Sequence, residues 1–178
     1  MRWFWIDRYT EFISGERATA VKNVSLAEEQ IHDHFPGEPI MPNSLILEGI
    51  AQTGGLLVKE HGKFLERVIL AKVTKAIFHR KAAPGDTLIY NTVIEQINKE
   101  GAMITATSHC NDELQAEVDI VFAHLDERSE GKELFEPLDL LTWLRILRVF
   151  EVGRNPDGTP VVPPDHLLAA DLKTDQLH

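Results

Sequence analysis

Alternating apolar and polar positions along the chain predict strands on both sides of one helix. The last three strand-like runs are separated by short turns, so they are expected to pair as antiparallel hairpins. Strands, one buried helix and further strands together indicate an α+β fold, in which an antiparallel sheet wraps the helix. The predicted strands are 3–13, 16–24, 66–79, 87–98, 101–111 and 114–125.

The helix between these strands is predicted over about 45–58 and is apolar on nearly every face. A helix with this pattern is typically buried in the middle of a fold. Asn43, or alternatively Ser44, is the predicted N-cap. Glycines within the helix, Gly49 among them, indicate close approach of another backbone or of a ligand.

The chain changes character after Leu125. Residues 126–136 are charged and predict a linker, Pro137 to about Val152 has the apolar pattern of an amphipathic helix, and the tail from Asn155 is expected to be irregular or partly disordered. We therefore expect one domain over 1–125 and a C-terminal linker, helix and tail over 126–178.

Composition narrows the possible partners and location. The chain has 18 Lys and Arg against 28 Asp and Glu, a net charge of −10, which is unfavourable for general nucleic-acid binding. No apolar stretch is long enough to span a membrane, and the N-terminus meets charge too early for a signal-peptide core. Cys110 is the only cysteine, so no intrachain disulfide is possible. These features favour a cytoplasmic protein.

One short basic stretch stands out against the acidic background. Lys72, Lys75, His79, Arg80 and Lys81 lie within ten residues that include no acid. Lysines of this kind protect an exposed strand edge against aggregation. The alternative is a contact surface for an acidic partner.

Candidate chemistry lies around the start of the helix. A loop with three prolines, 35–42, leads into the helix and follows His34, whose side chain can exchange protons near neutral pH. Glu48 interrupts the apolar helix, and burial would favour its protonated form, which can donate a proton. The alternatives are an incidental loop histidine and an exposed strip that Glu48 shares with Gln52. A metal site at His32 and His34 would need further ligands.

The N-terminus of the helix supplies a third feature. Free backbone N–H groups near Asn43 and Ser44 lie at the positive end of the helix dipole and can bind an oxygen that becomes negatively charged. Together with His34 and Glu48, they offer a base, an acid and an oxyanion site around one helix start.

The stretch from His34 to Gln52 closely resembles the active-site motif of the 3-hydroxyacyl-[acyl-carrier-protein] dehydratases of bacterial type II fatty acid synthesis. Their His-Phe-Pro-Gly-x-Pro-x-x-Pro run is matched by His34 to Pro42, and a glutamate follows fourteen residues after the histidine, as Glu48 does here. Weaker matches extend the resemblance over about 5–125.

The resemblance implies a hotdog fold and a homodimer, or a trimer of such dimers. It implies that His34 of one chain and Glu48 of the other form the catalytic pair, and that the substrate is an acyl group on the phosphopantetheine of acyl carrier protein. No metal or other cofactor is implied. Glutamate at position 48 indicates a dehydratase without isomerase activity. The implied substrate contacts are Phe35, Pro36, Gly37, Asn43, Ser44 and Gln52, and the implied carrier-protein patch is Lys72, Lys75, Arg80 and Lys81.

Two positions depart from the family pattern. Asn43 replaces a glycine, and its side chain either narrows the entry or is accepted with φ below zero. Gly49 replaces an alanine and is expected to enlarge the pocket slightly. Three alternatives stay open: a hotdog acyl thioesterase, a non-catalytic protein that binds acyl groups or carrier protein, and a hydratase acting on CoA thioesters.

Overall fold

A computed structural model of the chain describes residues 4–125 and 136–175, with side chains up to residue 172. The described strands form one sheet in the order β3-β6-β5-β4-β2-β1-β7, in which every neighbouring pair is antiparallel except β1 and β7. The strands are β1 (Arg8–Ile13), β2 (Arg17–Asn23), β3 (Arg67–Phe78), β4 (Thr87–Ile97), β5 (Gly101–Cys110), β6 (Glu113–Leu125) and β7 (Gly153–Arg154).

The helices of the described ranges lie between and after these strands. The long helix α2 packs on the sheet and contacts five of its strands, β2 to β6. This arrangement confirms the predicted α+β hotdog architecture with a C-terminal helical extension. Within the described residues, no helix is both long and apolar enough to cross a membrane. The helices are α1 (Glu29–His32), α2 (Asn43–His61), α3 (Pro137–Ile146), α4 (Val149–Val152) and α5 (Asp165–Asp175).

Close packing at Gly49 brings α2 onto the sheet. A Cβ atom at Gly49 would lie 2.6 Å from the Tyr90 ring and 2.7 Å from the backbone oxygen of Trp5, so no larger residue fits without movement. This space is filled, and the expectation that Gly49 enlarges a pocket is therefore wrong. Ile46 and Ile50 on the same helix are fully buried.

The predicted helix is confirmed, but its start differs from the prediction. Pro42, and not Asn43 or Ser44, is the N-cap, and its carbonyl oxygen accepts from the amides of Leu45 at 2.9 Å and Ile46 at 3.2 Å. Proline lacks an N–H and has a fixed φ, so it fits the residue that precedes the first turn. The first strand begins later than predicted, at Arg8, because the described residues before it, 4–7, are not in a strand. Among them, the Trp5 amide bonds to the Gln52 side chain.

The C-terminal extension differs more from its prediction. The prediction of one continuous helix from Pro137 to Val152 is wrong. The helix is interrupted at Arg148, whose φ is +64°, and α3 and α4 lie on either side of the interruption. The carbonyl oxygen of Leu147 accepts a bond of 2.9 Å from the amide of Tyr9, and this contact ties the break to β1.

The tail from Asn155 is irregular up to residue 164, as predicted, but residues 165–175 form the helix α5, so the prediction is wrong for that second part. Just before the tail, β7 pairs in parallel with β1. Within the tail, α5 buries Leu167, and Asp171 of α5 forms a 2.7 Å ion pair with Arg145 of α3. Proline and aspartate made the segment look unstructured, but burial of a few leucines against the core stabilises it. The predicted linker at 126–136 lies outside the described residues except for Glu136, which caps α3.

Replacing Gly49 tests the close approach of α2 to the sheet. Gly49→Ala should lower the free energy of unfolding by about 1–3 kcal/mol, because the added methyl group overpacks the core. Gly55→Ala is the matched control, since its Cβ would lie at an ordinary 3.4 Å from Phe122. That variant should gain up to about 1 kcal/mol from helix propensity. Urea unfolding at one protein concentration measures both, and a Gly49→Ala chain as stable as the parent would contradict this packing.

Candidate functional site

The loop that carries His34 is held by its own hydrogen bonds. Phe35 and Glu38 exchange two backbone bonds of 3.0 Å around Pro36 and Gly37, and Gly37 has φ +83°, as the third residue of a Pro-Gly turn requires. The carbonyl oxygen of His34 accepts from Ile40 at 2.9 Å. These contacts fix the backbone on the C-terminal side of the histidine.

The His34 side chain is half-buried and stacks on Phe35, with 4.3 Å between ring centroids. Its Nδ1 is buried and has no hydrogen-bond partner among the described residues. Phe35 itself is 55% exposed. In a single chain, an imidazole nitrogen without a partner and an exposed phenylalanine therefore lie side by side.

Glu48 is exposed and is oriented through Gln52. The backbone N–H of Trp5 donates to Oε1 of Gln52 at 2.8 Å, so the Nε2 side of the amide faces Glu48 and donates to its carboxylate at 2.9 Å. The expectation of a buried Glu48 is wrong for the single chain, in which Glu48 is exposed and Gln52 beside it is half-buried.

A cavity of about 430 Å³ opens beside Glu48 and Gln52. Its walls are mainly apolar and come from α2, β3, β6 and α3. His34 is not among the residues that line it. One chain therefore brings Glu48 and Gln52 to the same cavity and leaves His34 outside. Further lining residues include Leu56, Val68, Phe122 and Trp143.

Part of the cavity wall comes from the C-terminal extension, of which no residue was predicted to belong to the site. Leu140, Leu144 and Leu147 nevertheless line the cavity together with Trp143. Their spacing of i, i+3, i+4 and i+7 puts them on one face of α3 and its C-terminal end, and this periodicity was the available signal. What the sequence alone could not supply was the surface on which that face packs.

The start of α2 is open to a ligand. Asn43 and Ser44 are exposed at the first two helix positions, and the first turn of the helix leaves their N–H groups without helical partners. Asn43 is not among the residues with left-handed φ, so the side chain that replaces the family's glycine causes no backbone strain.

The basic stretch lies on β3, at the edge of the sheet, and on the loop after it. Lys72 is exposed and has no ion-pair partner among the described residues. The other predicted patch residues are paired with acids that are distant in sequence, so part of the positive charge is neutralised. The pairs are Lys75 with Glu117, Arg80 with Glu113 at 2.6 Å, and Lys81 with Glu38 at 2.7 Å.

The described residues contain no group of three or more His, Cys, Asp or Glu side chains arranged to hold a metal ion. His32 lies close to His34 in sequence, but its Nε2 is 2.7 Å from the carbonyl oxygen of Leu26.

The chain is similar in sequence to a family of known proteins. Residues 3–119 match the model of the FabA-like domain. A 3-hydroxyacyl-[acyl-carrier-protein] dehydratase FabZ of Oenococcus oeni is 35% identical over 118 residues, covering 66% of this chain and 85% of the relative. The enzyme of the same name from Symbiobacterium thermophilum is 37% identical over 122 residues, covering 68% of this chain and 86% of the relative.

Solved structures support the fold. A dehydratase heterocomplex from Xenorhabdus doucetiae superposes with a TM-score of 0.58 at 11% identity, covering 79% of this chain and 88% of the other. At this low identity, what the two proteins share is the fold of the backbone.

The pKa of Glu117 tests whether Lys75 is engaged by an acid. Hydrogen bonds from Lys75 and then His79 hold the pKa of this carboxyl below its ordinary value of 4.5. Lys75→Met should raise the Glu117 pKa toward that value, and carboxyl-carbon NMR titration measures it. Since the folded pKa is lowered, the stabilisation is present at neutral pH and is lost as pH falls through the folded value.

The matched control for this titration is Lys72→Met, on the same exposed strand. It should leave the Glu117 pKa almost unchanged. An equal Glu117 pKa in the Lys75→Met variant and the parent would contradict the pairing.

Proposed function

Because the chain belongs to the FabA-like family, we propose that it dehydrates (3R)-hydroxyacyl-[acyl-carrier-protein] to the trans-2-enoyl thioester in fatty acid biosynthesis. The observation that carries the proposal is the pair His34 and Glu48, fourteen residues apart. His34 directly precedes a turn held by its own hydrogen bonds, and Glu48 lies on α2 beside an apolar cavity. A histidine and a carboxyl group supply the base and the acid that such a reaction on an acyl chain needs.

The chemistry divides among three features of the chain. The backbone N–H groups of Asn43 and Ser44 bind the thioester carbonyl oxygen, and this contact acidifies C2. His34 removes a proton from C2, and the hydroxyl at C3 leaves as water after protonation by Glu48 or by a group that Glu48 positions. Gln52 holds the Glu48 carboxylate in place through its 2.9 Å hydrogen bond.

The proposal includes two copies of the chain. Glu48 lines the cavity and His34 does not, which fits a site in which His34 of one chain faces Glu48 of the other. β3 is an edge strand with exposed apolar residues, Leu70 and Ile77, as expected of a surface on which two sheets join. We propose a homodimer, with a trimer of dimers as the larger assembly.

Acyl carrier protein is the proposed partner. Its phosphopantetheine arm would pass the loop of Phe35, Pro36 and Gly37, and Lys72 is the exposed cation that an acidic carrier can reach without breaking an ion pair. Lys75, Arg80 and Lys81 contribute if the carrier's acids replace their present partners.

The reaction moves protons and releases water, so it gives no role to a metal or another cofactor. A cytoplasmic location fits the single cysteine, Cys110, which is buried and free. We also propose that residues 1–125 form the dehydratase domain and 126–178 an extension of it.

Ultraviolet absorption of the conjugated enoyl thioester tests the reaction directly. The parent protein should produce this absorption from 3-hydroxybutyryl or longer 3-hydroxyacyl carrier proteins. His34→Ala and Glu48→Gln should each lower kcat by about 10²–10⁴, since each removes acid–base assistance. Release of a free thiol without enoyl product would favour the thioesterase, and unchanged rates in both variants would overturn the assignment of the catalytic pair.

A further inference from the structure

We propose that α3 of the C-terminal extension is one wall of the acyl-binding cavity, and that the side chain of Trp143 limits the cavity volume and thereby the length of acyl chain that fits. The inference rests on the proposed function and adds a specificity-determining residue to it. The match to the FabA-like domain ends at residue 119, so α3 lies outside the part of the chain that the family model covers.

The cavity follows one face of α2. Its lining residues on this helix are spaced three or four apart and begin with Glu48 and end with Lys59. These two residues are about 16 Å apart along the helix axis, at 1.5 Å per residue. A chain attached through a thioester near Glu48 can therefore extend along the helix toward Lys59. The cavity volume of about 430 Å³ lies within the ordinary range for small-molecule sites.

The walls between these ends are apolar. Leu56 of α2, Val68 and Leu70 of β3 and Phe122 of β6 line one part, and Leu140, Trp143 and Leu144 of α3 line another. An unbranched hydrocarbon chain is the chemistry that such a surface favours, because binding removes apolar area from water on both partners.

The α3 wall is held firmly in place. The ring of Trp143 stacks on Phe4 with 4.2 Å between centroids, and Leu141 and Leu144 are fully buried. The Tyr9 amide bonds to the Leu147 carbonyl oxygen just after the helix, and Arg145 pairs with Asp171 of α5. A wall fixed at several points can discriminate between chain lengths.

Trp143 is the position on this wall where a change in size acts on the cavity with least damage to the core. It is half-buried, whereas Leu140 and Leu144 are buried in the core cluster. Gly55 of α2 also lines the cavity, and a Cβ added there would lie 3.4 Å from Phe122, another lining residue. A larger side chain at this position therefore takes up space in the same cavity. A smaller side chain at Trp143 should enlarge the cavity, and a larger one at Gly55 should reduce it.

Binding of saturated acyl-pantetheine thioesters of increasing length tests the inference without requiring turnover. Affinity measured by calorimetry should rise about fourfold for each added methylene and then stop rising when the cavity is full. Trp143→Ala should move this limit to longer chains, and Gly55→Leu should move it to shorter ones. Ile146→Ala, exposed on α3 and not lining the cavity, is the control and should leave the limit where it is.

Thermal unfolding of each variant identifies loss of fold, and Trp143→Phe, which keeps an aromatic ring against Phe4, should show a smaller shift in the same direction as Trp143→Ala. The inference is overturned if affinity stops rising at the same chain length in Trp143→Ala, Gly55→Leu and the parent. It is also overturned if affinity does not depend on chain length. If the chain length at which affinity stops rising moves as expected, but no substrate gives an enoyl product, the result supports acyl binding in the cavity and contradicts the proposed dehydratase activity. Normal dehydration with an unmoved limit contradicts only the role of α3.

Discussion

Gly49 lies against the ring of Tyr90 and the backbone oxygen of Trp5, and this contact sets both the depth and the rotation of α2 on the sheet. Successive residues of a helix point about 100° apart. Burial of Gly49 and Ile50 therefore leaves Glu48 and Gln52 on the other side of the helix, facing the cavity. The position of the candidate acid thus follows from a packing constraint one residue away.

Trp5 links this packing to the site in a second way. Its carbonyl oxygen lies over Gly49, and its amide donates to Gln52, which in turn donates to Glu48. The segment before β1 therefore contacts α2 and orients the Glu48 carboxylate through the backbone N–H and C=O of a single residue, Trp5. Phe4, next to it, stacks on Trp143, so the same segment also holds the C-terminal extension over the cavity.

The strand pattern, the long helix and the His34–Glu48 motif could be predicted from local sequence. The strands and the helix are indicated by periodicity and turn residues, which are local signals. The motif is local too, because His34 and Glu48 are separated only by the proline loop and the first residues of α2. The break at Arg148 could not be predicted, because its stabilising contact is a bond from Tyr9, more than a hundred residues earlier.

Contacts between residues distant in sequence also determine the surroundings of the basic stretch and of Glu48, and the packing of the extension. The basic stretch contains no acid in sequence, but Glu113 and Glu117 lie beside it because β6 pairs with β3. Glu48 was expected to be buried because the helix around it is apolar, whereas part of that apolar surface lines a cavity. Pairing of distant strands and packing of the extension are tertiary effects that local composition does not encode.

The claim that two copies of the chain complete one catalytic site is tested most directly by mixing two inactive variants. Chains carrying His34→Ala and Glu48→Gln are unfolded and refolded together, with different affinity tags to verify that mixed dimers form. A mixed dimer has one intact site if the pair comes from opposite chains, so random mixing should restore roughly a quarter of the parent activity. Mixed dimers that stay as inactive as each variant alone would contradict the account.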